Sequence, residues 1–247
     1  MAGSEPAMTA AEKAETLSTL RSGEMEILAR MPWSSNHTFL VTAGLSGRSL
    51  SGIYKPLAGE RPLWDFDPGL GRREAAAYEL SEELNWGFIP PTVWREEAPL
   101  GPGSIQLFVE ADFQEHYFTI CDQPDHLEAI EAICAFDVIA NNADRKAGHV
   151  LVGSGGKLWG IDHGLCFHRQ PKLRTVIWEL AGQELPERLL GDLERIAALE
   201  SSLTRKLDSL LAPGEIAAIS DRAAWLVRNG AYPIPDPETH HYPWPLV

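Results

Sequence analysis

The sequence predicts an α+β chain of two lobes, the first an antiparallel sheet with one helix, the second mostly helical but carrying a β-hairpin. Three observations carry this expectation. Short apolar or β-branched runs bounded by Ser, Asn or Gly crowd the N-terminal part. Apolar residues then recur at helical spacing through Leu127, Ile130, Ile133, Phe136 and Ile139. Finally, Gly153-Ser154-Gly155-Gly156 lies between two apolar runs, a strong hairpin signal.

In chain order, residues 1–8 are small and polar and are expected to be disordered, and Thr9 caps a short helix of good helix formers through Leu20. Strands are expected over 25–29, 38–41 and 50–54. The Pro- and Gly-rich stretch 56–71 is a loop, after which helical periodicity resumes from Arg72 to Leu84. Two more strands, 92–94 and 105–109, complete a five-stranded unit. A helix is expected over His126–Asn141, a hairpin over His149–Ile161, and helical spacing from Pro186 to about Val227, before a Pro-rich tail. The expected divisions are a tail and helix over 1–24, a first lobe over 25–112 and a second over 113–247.

Composition narrows the function. The chain has 247 residues, of which 44% are hydrophobic and 23% charged, so it can bury one large core or two small lobes. Thirty-five Asp and Glu against 21 Lys and Arg give a net charge of -14, which argues against a nucleic-acid partner and against stable docking on an anionic membrane. Cys121, Cys134 and Cys166 lack the spacing of a zinc or redox motif and are expected to be free, buried thiols. The first residues carry no leader pattern and no long apolar run occurs, so a cytoplasmic location is expected.

The chemistry concentrates around the hairpin. Asn141-Asn142-Ala143-Asp144-Arg145-Lys146-Ala147-Gly148-His149 leaves a helix through a polar loop, and the hairpin exits through Ile161-Asp162-His163-Gly164. Phosphoryl transfer needs one carboxylate to orient the incoming hydroxyl and a second, with a nearby ligand, to hold the metal that neutralises the phosphates. A kinase catalytic loop places its second metal ligand five positions after its Asp, the separation of His149 from Asp144. Either motif alone would also serve as a capping turn or a hairpin exit. Upstream, Lys55 lies on a strand and Glu74 on the next helix among small neighbours, as a phosphate-holding lysine and its positioning glutamate require. Lys146, and less so Arg145, would place positive charge near the transferred phosphoryl, unless paired with a local carboxylate. Asn142 reads as structural.

Tyr54-Lys55-Pro56, Asp144-Arg145-Lys146 and Ile161-Asp162-His163-Gly164 resemble the phosphatidylinositol 3-/4-kinase superfamily, especially its compact type II and bacterial kinase-like members, and more distantly HipA-type protein kinases. The resemblance spans about residues 25 to 168 and implies a bilobal protein-kinase-like fold whose first lobe binds the nucleotide. It implies ATP with Mg²⁺ or Mn²⁺ as cofactors, Asp144 and Lys146 as catalytic residues, and Asp162 and His149 as metal ligands. Ser34, Ser35, Asn36, Lys55 and Glu74 would hold the nucleotide, with Glu110 at the strand end leading to the adenine hinge. Ser34-Ser35-Asn36-His37-Thr38 would cover the phosphates from backbone amides and hydroxyls, although a plain hairpin turn fits those residues equally.

Two positions depart from the family pattern: His149 stands where Asn is usual, and His163 where Phe is common. Imidazole is a softer ligand than an amide oxygen and favours Mn²⁺ over Mg²⁺. The expected activity is transfer of the γ-phosphoryl group of ATP to a hydroxyl of a small molecule or a protein. A nucleotide-binding pseudokinase, an AMP transferase on the same fold, or a metal phosphohydrolase using Asp144, His149, Asp162, His163 and His168 are the alternatives. His240-His241 belong to the tail, Gly69-Leu70-Gly71 to a turn, and Trp178, Trp225 and Trp244 are expected to be buried.

Overall fold

The computed structural model describes residues 8–32, 36–199 and 201–247. Most of the segment 1–8, and the expected phosphate-covering residues Ser34 and Ser35, lie outside the described residues.

Helix α1 (Ala10–Ser22) starts where Thr9 accepts from the Glu12 amide at 3.2 Å while the Glu12 carboxylate accepts from the Thr9 amide at 2.8 Å, a reciprocal cap. Five strands follow, β1 (Glu24–Arg30), β2 (Phe39–Leu45), β3 (Arg48–Pro56), β4 (Thr92–Arg95) and β5 (Gly103–Leu107), in the spatial order β1-β2-β3-β5-β4 and antiparallel throughout. A bulge between Ile27 and Ala29 in β1 leaves Leu28 exposed. On one face Tyr54, Val41, Val93 and Ile105 pack with Leu20 of α1. Strand alternation therefore turns the neighbouring Lys55 to the other face, where helix α2 (Leu70–Glu83) lies against β4 and β5. The sheet thus has two helical neighbours rather than the single helix expected, because the capped leader brings Leu20 onto it. A Cβ on Gly103 would stand 2.5 Å from the Lys55 carbonyl oxygen and 2.7 Å from the Tyr54 ring, so glycine is what lets β5 close on β3 beside Lys55.

The second half is mainly helical. Helix α3 (Tyr117–Ile120) precedes α4 (Leu127–Ala140), whose end residue Asn141 adopts the left-handed conformation that Asn tolerates. Strands β6 (Ala111–Asp112), β7 (Val150–Gly153) and β8 (Leu158–Gly160) form a three-stranded antiparallel sheet. Helices α5 (Glu187–Ala198), α6 (Ser201–Leu207) and α7 (Pro213–Asn229) follow, and Ile133, Phe136, Leu193 and Ile219 meet in the main core.

Several expectations are corrected. The helical stretch after Pro186 is three helices, broken at the left-handed Leu199 and at Pro213. The strand expected to 109 ends at Leu107, and His149 closes a 3₁₀ turn rather than opening β7. Trp244 is 84% exposed and Trp225 is also exposed, whereas Cys134 and Cys166 are buried and Cys121 is partly so, all three free. Among the described residues no helix is long and apolar enough to cross a membrane.

Candidate active site

Lys55 is the junction of the site. Its Nζ donates to Glu74 Oε1 at 2.5 Å and to Asp162 Oδ1 at 2.8 Å, joining β3, α2 and the segment after β8. The second oxygen of Glu74 accepts from the His163 amide at 3.0 Å, so α2 also fixes the backbone next to Asp162. Asp162 has φ 61°, a left-handed conformation that costs a non-glycine residue energy and that its neighbours must hold in place. Its other oxygen lies 3.3 Å from His149 Nε2. Lys55, Glu74, Asp162 and His149, expected together from the sequence, are thus brought together.

The catalytic-loop candidates are held from beneath. Asn142 Oδ1 accepts from the Asp144 amide at 3.0 Å, and Asn142 Nδ2 donates to Asp137 at 2.9 Å, which bears out its structural role. Lys146 Nζ donates to Asp144 Oδ2 at 2.7 Å. Arg145 points the other way: it is fully buried, forks onto Asp137 with two contacts of 2.9 Å, and donates to the carbonyls of His149 and Ile161. The idea that Arg145 faces the phosphoryl group is therefore corrected, since a carboxylate eight residues earlier on α4 claims its guanidinium. Arg145 Nη2 also contacts His163 Nε2 at 2.7 Å. As an arginine can only donate, His163 carries its proton on Nδ1, which is buried without a partner.

The electrostatics follow from these contacts. The Lys55 ammonium and, to a lesser degree, His149 hold the Asp162 carboxyl far below the usual range in spite of its partial desolvation. Burial disfavours the Lys55 charge, but Asp162 and Glu74 outweigh it and raise the group. Burial raises Glu74 and Asp144, with Lys55 and Lys146 respectively opposing it. Burial brings His149 down to about 4, so its imidazole is neutral near pH 7; its Nδ1 accepts from the Lys146 amide at 3.4 Å, which places the proton on Nε2 facing Asp162, so ligation through Nε2 needs that proton to leave.

The remaining expected residues are not joined to this cluster by any hydrogen bond or ion pair among the described residues. Asn36 accepts from the Arg61 amide at 3.0 Å, and Glu110 is exposed between β5 and β6. Nor do the described residues contain three His, Cys, Asp or Glu side chains converging on one metal. The phosphohydrolase alternative needed such a set, and His163 is locked to Arg145 while His168 Nδ1 accepts from the Gln170 amide. A cation held mainly by phosphates needs fewer protein ligands, and the half-open Asp162 carboxylate beside the neutral His149 fits that demand.

Sequence reasoning missed two elements around the candidate catalytic loop. Phe66, inside the Pro/Gly loop, is buried against Ala143 and Leu165, with Asp65 paired to Lys172 at 2.8 Å. The tail returns as well: the Ala147 amide donates to the Leu246 carbonyl at 2.8 Å and the Thr175 amide to that of His241 at 3.1 Å. An aromatic residue inside a Pro- and Gly-rich loop was the available signal for the first, and nothing in the tail's composition pointed to the second.

The chain matches the family model "Phosphatidylinositol 3- and 4-kinase" over residues 77–201. Protein Rv2133c of Mycobacterium tuberculosis is 36% identical over 262 residues, covering 92% of this chain and 93% of the relative. Among solved structures, hydra Fam20 with sugar superposes with a TM-score of 0.66 at 13% identity, covering 90% of this chain and 89% of that one. The Golgi casein kinase with Mn/ADP bound gives 0.60 at 14% identity, covering 94% and 81%. At such identities the likeness is one of fold, and that fold is kinase-like.

Proposed function

Since the chain belongs to the phosphatidylinositol 3- and 4-kinase family, we propose that it binds ATP with a divalent cation over Asp162 and transfers the γ-phosphoryl group to a hydroxyl presented to Asp144. The observation that carries this reading is Lys55 Nζ held between Glu74 and Asp162 at 2.5 and 2.8 Å. A strand lysine fixed by a helix glutamate is what positions nucleotide phosphates in this fold.

Asp162 and His149 would hold the cation, with the nucleotide phosphates completing its shell. When bound, that cation neutralises charge on the phosphates. The kinase-like neighbour with Mn/ADP supports nucleotide and metal as cofactors here, and the imidazole of His149 supports Mn²⁺ over Mg²⁺. Lys55 binds the phosphates and Glu74 orients Lys55. Asp144 orients the acceptor hydroxyl, whose oxygen forms the new bond to the γ-phosphorus as the bond to the β-phosphate oxygen breaks. The proton passes to the Asp144 carboxylate, whose raised affinity for protons suits it to this task. Lys146, 2.7 Å from Asp144, places a positive charge beside the transferred group.

The test is transfer from labelled ATP in the presence of Mn²⁺. Label should appear in product from γ-labelled and not from α-labelled ATP. Transfer of the α label would instead make the chain an AMP transferase, and nucleotide binding without any transfer a pseudokinase.

A further inference from the structure

Residues 96 to 144 contain no Lys or Arg in a chain carrying 21 of them. Within this stretch the backbone between β6 and α4 folds into overlapping turns. The Glu115 amide donates to the Asp112 carbonyl at 3.1 Å, the Cys121 amide to that of Tyr117 at 2.9 Å, and the His126 amide to that of Gln123 at 3.1 Å. The Gln114 amide also donates to Asp112 Oδ1 at 2.9 Å, and Glu115 accepts from the Thr119 hydroxyl at 2.7 Å. The segment is a fixed surface rather than a loose connection.

What it presents follows from what it buries. Tyr117 and Ile120 take the inner side of α3, so Phe118 between them is turned outward and is 43% exposed. Leu127 stands outward in the same way at the start of α4, where Ile130, Ile133 and Cys134 are buried, and the first turn holds out Phe113, 65% exposed. Single exposed apolar groups are ordinary, but three on one ordered segment mark a contact surface. Acids are interleaved with them: Asp112, Asp122, Asp125 and Glu128 are exposed, and none forms an ion pair among the described residues. Arg188 reaches this face, but it is spent on the Glu131 carboxylate and the Glu128 carbonyl. Lys157, on the hairpin turn near His126, lies over the Trp159 ring.

We infer that this face, from β6 through α3 to the start of α4, is a docking site for a protein partner bearing a short basic segment with large apolar side chains. Its apolar groups would cover Phe113, Phe118 and Leu127 while its Lys or Arg meet the interleaved carboxylates. Charge complementarity selects that occupant, since an acidic segment would be repelled and a wholly apolar one would bury carboxylates without partners. The face adjoins the candidate site, because α3 packs against the 3₁₀ turn Ala147–His149. The inference stands apart from the phosphotransferase reading.

The test titrates the full chain, by fluorescence anisotropy, with a labelled twelve-residue peptide alternating Lys with Phe and Leu. The controls replace Lys by Glu, or Phe and Leu by Ser. Wild type should bind the Lys/Phe/Leu peptide about tenfold or more tightly than either control. Phe113→Ser with Phe118→Ser, and separately Asp122→Lys with Asp125→Lys, should each weaken it by about tenfold or more, and all four positions are exposed, so the fold should survive. Glu187→Lys with Glu194→Lys, an equal change of charge at exposed positions of α5, should leave the affinity within about twofold. Equal weakening by the α5 pair would reduce the binding to overall negative charge and overturn the inference. Absence of preference for the Lys/Phe/Leu peptide, or unchanged affinity in the Phe113→Ser, Phe118→Ser protein, would overturn it as well. Sedimentation of the chain alone addresses the other occupant: a monomer supports the inference, and a dimer that Phe118→Ser dissociates assigns the face to a second copy and overturns it.

Discussion

Two polar clusters lie on either side of the same loop, and their difference explains what each is for. Beneath it, Asp137, Asn142, Arg145 and His163 are all buried and spend nearly every donor and acceptor on one another or on the backbone of the hairpin. Above it, Lys55, Glu74, Asp162 and His149 form an equally charged group, but Asp162 keeps 48% of its side chain open and Lys55 26%. The closed cluster sets geometry, whereas the open one leaves ligand valences at the Asp162 carboxylate. Charge alone does not tell a scaffold from a site; the unspent valences do.

The comparison breaks most readily at the closed cluster. Arg145→Met strands the buried Asp137 carboxylate and should cost about 3–5 kcal/mol in denaturant unfolding, whereas Asp162→Ala removes a half-open partner and should cost less than about 1 kcal/mol. Equal losses would erase the distinction.

Acid provides the next test. The folded value of about 4 for His149 lies below the roughly 6.5 of an unfolded histidine, so on acidification the unfolded chain takes up the proton first. Stability without metal should be full above about pH 6.5 and fall toward pH 4, with up to roughly 3 kcal/mol from His149 alone. His163, lowered by burial and by Arg145, acts in the same direction. A pH dependence across that window that is unchanged in His149→Asn would contradict the neutral His149 imidazole.

The smallest effect concerns the metal. His149→Asn should shift support of nucleotide binding from Mn²⁺ toward Mg²⁺ by about tenfold or less, since an amide oxygen is the harder ligand. An unchanged ratio between the two cations would remove His149 from the metal's surroundings.

What could be read from the sequence divides along the same line. Lys55 and Glu74 were legible because strand alternation and helix periodicity place them, and Asp144, His149 and Asp162 because a glycine hairpin fixes their spacing. The partners that close the scaffold were not. Asp137 sits mid-helix among apolar neighbours, and only the left-handed turn at Asn141 swings Arg145 back beneath it. Phe66 in a Pro- and Gly-rich loop gave no periodic signal for its packing on Ala143. The tail docks through backbone carbonyls of His241 and Leu246, which any residue supplies.

The central claim is that one nucleotide site spans Lys55 and Asp162, with Asp144 serving chemistry rather than binding. Calorimetric titration of a non-hydrolysable ATP analogue with Mn²⁺ into wild type, Asp162→Ala and Asp144→Ala tests it directly. Binding lost in Asp162→Ala and retained in Asp144→Ala is the predicted result; binding unaffected by Asp162→Ala contradicts the account.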